Sequence, residues 1–229
     1  MTAFVLIHGA YQGGWIWQPT AERLRSQGHT VFTPTLDGCA ERKHQVRPGI
    51  TTESHAEEIA GLLFYQDLKD VVLVGTSTGG MALARAAELA RERVARVVFA
   101  DSLALLDGEA LPDIVKRPTA VDTDLTSGPS RQDFENRLFA DLEPALRRWA
   151  LERCTPHPIG VMRQPVRLER FWDQAWNACV IWCKRSTNPP QAHQRRAAER
   201  LKGRWHELDT GHYPMLTEPA ALARLIVEG

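Results

Sequence analysis

The sequence predicts an α/β protein with a mostly parallel sheet, on three observations. Short apolar or β-branched runs alternate with longer segments of helical spacing. The chain has 229 residues, 43% of them apolar, enough to bury one continuous core. One of the apolar runs ends in a serine flanked by glycines and then passes into an alanine-rich segment. Regular strand-helix alternation places crossover helices on both faces of a sheet, and such a sheet is parallel.

Taken in order, residues 4–8 form the first expected strand, which opens into a loop holding Gly9, Gly13 and Gly14. Residues 18–26 have helical spacing, and Gly28 stands where a helix C-terminus favours glycine. Strands are expected at 30–34, 71–75, 96–101, 177–183 and 204–208, and helices at 51–65, 79–91, 190–202 and 218–227. The alternation breaks over 105–176, where seven of the 14 prolines fall: Pro112, Pro118, Pro129, Pro144, Pro156, Pro158 and Pro165. Proline at that density excludes long helices and central strands. We therefore expect a core of residues 1–104 and 177–229 interrupted by an insertion of short helices over 105–176. Within the insertion, 119–133 reads as a polar loop, and helical pieces are expected around 134–153 and 166–176.

Composition narrows the function classes. With 28 basic and 28 acidic residues the net charge is zero, which argues against a nucleic-acid binder or a polybasic membrane anchor. No apolar run approaches the roughly 20 residues of a membrane span. The first apolar stretch meets His8 and Gly9 after four residues, so no signal peptide is expected. Cys39, Cys154, Cys179 and Cys183 lack C-x-x-C spacing, which favours reduced thiols in a cytoplasm. Cys179 and Cys183 share one face of a strand, and with no histidine at ligand spacing they read as buried thiols, not a metal site. The expected partner is a small molecule; a homodimer is left open.

The segment Val71-Val72-Leu73-Val74-Gly75-Thr76-Ser77-Thr78-Gly79-Gly80 carries the chemistry. A buried strand that runs through G-x-S-x-G into a helix is the context of a nucleophile elbow. The serine there sits on a strained turn, so its neighbours two before and two after must lack side chains, and Gly75 and Gly79 do. No G-K-[ST] follows, which argues against a phosphate loop. A serine hydroxyl needs a base. His212, in the loop after the last strand, would come to the same sheet edge as Ser77; His29, His44, His55, His157, His193 and His206 have no such placement. Two backbone donors for an oxyanion would come from Thr78, after the serine, and from Ala10, in the glycine-rich loop.

These motifs, His8-Gly9-Ala10 with Gly13-Gly14-Trp15, the glycines around Ser77, and Gly211-His212 before Met215-Leu216-Thr217-Glu218-Pro219, resemble the α/β-hydrolase superfamily. The likeness is to its small branch with plant methylesterases, hydroxynitrile lyases and bacterial esterases of the pyrethroid-hydrolase type. It implies an α/β-hydrolase fold in which the insertion is a small helical cap over the pocket, with no cofactor. The family most often takes its acid from the loop after the penultimate strand, yet 184–189 contains no carboxylate. Some branches take it one strand earlier, which implies Asp101. Asp173, or Asn188 or Ser186 as a neutral orienter, are the alternatives, while Asp209 reads as a loop-shaping residue. Trp149, Trp172 and Trp176 of the insertion, with Tyr11 and Tyr213, would make an apolar, partly aromatic pocket, although core packing explains the tryptophans equally well. The resemblance implies acyl transfer from a small or medium apolar carboxylic ester, thioester or lactone to Ser77 and then to water. A lyase is the alternative, weakened because hydroxynitrile lyases carry a lysine where this chain has Tyr213. A non-hydrolytic cyclase or ligand-binding member of the fold is a further alternative.

Overall fold

The protein is described by a computed structural model that covers residues 1–117 and 119–229, so Pro118 lies outside the described residues. Six strands, β1 (Ala3–Ile7), β2 (Thr30–Phe32), β3 (Val71–Ser77), β4 (Val94–Ser102), β8 (Ala178–Cys183) and β9 (Arg204–Leu208), form one sheet in the order β2-β1-β3-β4-β8-β9. Every pairing in it is parallel. The helices α1 (Gln18–Ser26), α2 (Thr52–Tyr65), α3 (Gly79–Leu89), α8 (Gln191–Arg200), α9 (Pro214–Thr217) and α10 (Pro219–Glu228) flank it. α1 packs against α10, and α2 against α3.

Each element follows from its sequence. The central strands β1, β3 and β4 are buried nearly throughout, which is why they read as continuous apolar runs without alternation. α1 ends as expected: the N–H of Gly28, at φ +83°, donates to the Arg25 carbonyl, and that of His29 to Leu24, satisfying two terminal carbonyls. Thr51 and Ser54 cap α2 reciprocally through side chain and backbone. The four cysteines are free; Cys39, Cys179 and Cys183 are buried. Among the described residues no helix is long and apolar enough to cross a membrane.

The segment over 105–176 differs from the expected set of short helices. It contains α4 (Leu111–Ile114), α5 (Arg131–Asn136), α6 (Pro144–Leu151) and α7 (Ile159–Arg163), but also a small antiparallel sheet of β5 (Val121–Asp122), β6 (Thr126–Gly128) and β7 (His157–Pro158). The polar loop expected over 119–133 therefore contains a hairpin, closed by the Thr123 N–H donating to the Thr126 carbonyl at 2.7 Å. Strands of two or three residues are too short to show a period of two. Pro158 is tolerated because β7 is an edge strand. The stretch 166–176 carries only a 3-10 turn at Phe171–Asp173.

Candidate active site

Ser77 is the last residue of β3 and has φ +50°, in the left-handed region that non-glycine residues rarely enter. The turn exists because its flanks are bare. A Cβ on Gly79 would stand 2.5 Å from the Ile7 carbonyl oxygen and 2.6 Å from that of His8, and one on Gly75 would stand 2.9 Å from the Gly79 backbone. Backbone atoms cannot yield as a flexible side chain can, so the two positions are held to glycine by packing as well as by the turn. Strain of this kind persists only where surrounding structure over-determines it, and it concentrates at functional sites.

Asp101 has the same peculiarity on the neighbouring strand. Thr76 pairs with Ala100 and Ser77 with Ser102, so Asp101 is the extra residue of a β-bulge, at φ +45°. A bulge re-aims a side chain that the regular pleat would send elsewhere. Here it sends a fully buried carboxylate to three donors. His212 Nδ1–H donates to Asp101 Oδ2 at 2.6 Å, and Oδ1 accepts from Gln194 Nε2 at 2.7 Å and from the Cys183 N–H at 3.3 Å. Three donors converging on one carboxylate fix its orientation and that of the ring that leans on it.

His212 lies in the loop between β9 and α9 and keeps 22% of its side chain exposed, while its partner Asp101 is shut off from solvent. Its ring faces Tyr213 edge-on at 5.1 Å. On the other side of the site, His8 steadies the loop after β1. Its Nε2 accepts the Leu36 N–H at 3.0 Å, so Nδ1 carries the proton and donates to the Gly9 carbonyl at 2.9 Å. Burial pushes the His8 pKa down to about 4, and protonating Nε2 would break the Leu36 bond. The Gly9 N–H donates in turn to Gln12 Oε1 at 3.2 Å.

Ser77, Thr78, Ala10, Tyr11, His212 and Tyr213 line one cavity of about 560 Å³. Asn188 and Ser186, the neutral alternatives to Asp101, also line it, whereas Asp173 is exposed on the 3-10 turn. Three residues expected in the pocket are not among its walls, and the reason is packing. Trp149 meets Trp15 edge-on and carries Arg153 over its face. Trp176 stacks on Phe171, under Arg91, and donates to the Phe171 carbonyl at 2.8 Å. Trp172 donates to the Leu105 carbonyl at 3.0 Å. Leu103, Leu111, Val115 and Met162 share the cavity walls with Lys116, Arg117, Arg137 and Arg185.

Sequence reading missed Gln194 and the burial of His193. The first carries no expectation and the second none beyond its lacking a place beside Ser77, yet Gln194 is 1% and His193 6% exposed. His193 Nε2 accepts the Ala104 N–H at 3.0 Å, which fixes the chain just beyond Asp101. Burial pushes the His193 pKa down to about 4. The available signal was the spacing of Gln194, Ala197 and Leu201 at i, i+3 and i+7, which puts the glutamine on the apolar face of α8.

A family model described as "Alpha/beta hydrolase family" matches residues 4–225. The chain is 31% identical over 179 residues to a carbendazim hydrolyzing esterase of Nocardioides sp. (strain SG-4G), covering 73% of this chain and 74% of that protein. It is 28% identical over 142 residues to methylesterase 3 of Arabidopsis thaliana, a match covering 61% of this chain and 51% of the relative. Among solved structures, an extracellular alpha/beta-hydrolase from a Paenibacillus species superposes with a TM-score of 0.83 at 25% identity, over 100% of this chain and 98% of that one.

Proposed function

The chain belongs to the alpha/beta hydrolase family, and from that premise we propose that it is a carboxylic ester hydrolase working through Ser77. The observation that carries the reading is the 2.6 Å contact between buried Asp101 and His212 Nδ1, made from the strand end beside the Ser77 elbow. The similarity to a carbendazim hydrolyzing esterase and to a methylesterase supports the ester as substrate class.

In this mechanism, Asp101 holds the imidazole with Nδ1 protonated, which leaves Nε2 free as an acceptor. Ser77 Oγ attacks the ester carbonyl carbon as its proton passes to His212 Nε2. The tetrahedral oxyanion is held by the Ala10 and Thr78 N–H groups, the second at the N-terminus of α3, where the helix dipole adds to the attraction. His212 returns the proton to the departing alcohol, leaving an acyl-serine, and then deprotonates a water that releases the acid. No step requires a cofactor. The insertion over 105–176, which contributes Leu111, Val115 and Met162 to the cavity, acts as the cap over it.

The test is turnover of p-nitrophenyl butyrate, with mandelonitrile cleavage measured alongside. Wild type should hydrolyse the ester and leave the cyanohydrin, Ser77→Ala should lose ester turnover while staying folded, and a fluorophosphonate should label Ser77 alone. Full ester activity in Ser77→Ala, or cleavage of mandelonitrile in place of the ester, would sink the assignment.

A further inference from the structure

The cavity that holds Ser77 and His212 is electrostatically lopsided. Four basic side chains line it, Lys116, Arg117, Arg137 and Arg185, against the carboxylates of Asp133 and Asp141. Two of the four are already neutralised: Arg137 pairs with Asp133 at 2.7 Å, and Arg185 with Asp209 at 3.4 Å. Lys116 and Arg117 have no ion-pair partner among the described residues. Lys116 Nζ donates to the Pro112 carbonyl at 2.7 Å. Arg117 Nη2 donates to Ser127 Oγ at 2.8 Å and to the Tyr11 hydroxyl, both neutral oxygens. Asp122, whose pKa is held down first by its hydrogen bond to Ser127 and then by Arg163 and Arg117, is itself paired with Arg163.

Arg117 is held in place as well as uncompensated. Its guanidinium lies 5.5 Å from the centre of the Tyr11 ring, and its two hydroxyl partners are buried, Ser127 at 1% and Tyr11 at 8% exposure. Tyr11 directly follows Ala10 in the loop after β1, so the cation is fixed to the loop proposed to bind the oxyanion. Its Nε and Nη1 N–H groups find no acceptor among the described residues. With Nη2 on neutral oxygens and the remaining N–H groups unengaged, the half-buried guanidinium can take up an anionic group without first breaking an ion pair, beside the exposed Lys116. Asp141 gives the cavity a direction. It packs on Gly211, beside His212, where a glycine Cβ would meet its carboxylate at 2.0 Å, and it has no basic partner among the described residues. An anionic group is repelled from that wall and drawn to the Lys116–Arg117 wall.

We propose that Lys116 and Arg117 form a subsite for a carboxylate carried by the substrate, so that the ester processed is one bearing a free acid, such as a half-ester of a dicarboxylic acid. The proposal rests on the esterase reading, and its test separates the two. Mono-p-nitrophenyl glutarate is compared with p-nitrophenyl valerate for a carboxylate on the acyl side, and 4-carboxyphenyl acetate with phenyl acetate for one on the alcohol side. In wild type one anionic ester should exceed its neutral counterpart in kcat/KM by about 10- to 100-fold, the scale of a charge-assisted contact. Arg117→Met and Lys116→Met should each erode that ratio, and raising salt from about 0.05 to 0.5 M should erode it in wild type, as screening requires. The lysine variant and the salt series keep the test decisive if Arg117→Met fails to fold through loss of its Tyr11 and Ser127 bonds. Neutral esters turned over as well as anionic ones, or ratios indifferent to both substitutions and to salt, would overturn the subsite and leave the esterase standing. No turnover of any of the four esters by wild type would overturn the esterase, and the subsite with it.

Discussion

Replacing Asp101 by asparagine is the most discriminating single change, because the geometry dictates which way the new amide must turn. Asp101 Oδ1 accepts from two donors, Gln194 Nε2 and the Cys183 N–H, while Oδ2 accepts from His212 Nδ1 alone. An asparagine facing its NH₂ toward Gln194 and Cys183 would oppose donor to donor in a fully buried position. It therefore keeps its oxygen there and presents NH₂ to His212. The imidazole must then accept at Nδ1 and carry its proton on Nε2, where it cannot take the serine proton. Every hydrogen bond survives with one direction reversed, and asparagine tolerates φ +45° about as well as aspartate, so stability should change by less than about 1 kcal/mol. In the best-studied serine triad the wrong tautomer lowers kcat by about 10⁴-fold, some 5.5 kcal/mol of barrier, and the same scale is expected here. Asp101→Ala makes the contrast: it strands buried donors and should lose about 1–3 kcal/mol of stability as well as activity. The assay is kcat on p-nitrophenyl butyrate with melting temperature on the same preparations. A stable Asn variant with kcat within about tenfold of wild type would refute the orienting role of Asp101.

Two further outcomes follow from the packing. Gly79→Ala places a methyl group 2.5–2.6 Å from the Ile7 and His8 carbonyl oxygens, and because both belong to backbone at the β1 exit, overpacking should lower stability by about 1–3 kcal/mol, measured by urea denaturation; an unchanged midpoint would contradict the close approach. Acid should destabilise the protein, since the unfolded chain protonates His8 and His193 near 6.5 while the fold holds both near 4. Stability is then at its full value above about pH 6.5 and falls as pH drops toward 4, by about 2 kcal/mol per histidine at pH 5. Equal urea midpoints at pH 7.5 and pH 5 would show that the two rings are not held neutral.

Legibility in the sequence tracked burial. Strands enclosed on both faces must be apolar throughout, so β1, β3, β4 and β8 were visible as runs, and the elbow was visible because only glycine fits at positions 75 and 79. The small sheet within the insertion was not, because strands of two or three residues, such as Thr126–Gly128, leave no period to detect. Tyr11 and Tyr213 line the cavity as expected, whereas the three tryptophans do not, for a different reason. A tryptophan count says that aromatic surface exists but not where it points, and Trp149, Trp172 and Trp176 are spent on neighbours within the insertion and along the core. Cations went unnoticed in the same stretch because Lys116 and Arg117 follow the four-residue helix α4, too short to show which way they face, and it is the bonds from Arg117 to Tyr11 and Ser127 that hold that side chain at the cavity.

The bare loop after β8 makes sense once the surroundings of Asp101 are considered together. Residues 184–189 contribute no carboxylate, yet the strand before them and the helix after them both turn donors toward one: the Cys183 N–H from the end of β8, and Gln194 from α8. Gln194 also donates to the Pro189 carbonyl at 3.0 Å, tying the loop itself to the same side chain. On the proposed mechanism, then, β8 and α8 hold the acid without supplying it, and the bulge in β4 supplies it one strand earlier. The division has a physical advantage. A carboxylate on a bulge in a central strand is placed by a ladder paired on both sides, through β3 and β8, so its own position does not depend on the loop after β8. The loop is left free to line the cavity through Arg185, Ser186, Thr187 and Asn188, so its side chains can vary with substrate while the orientation of the base stays fixed.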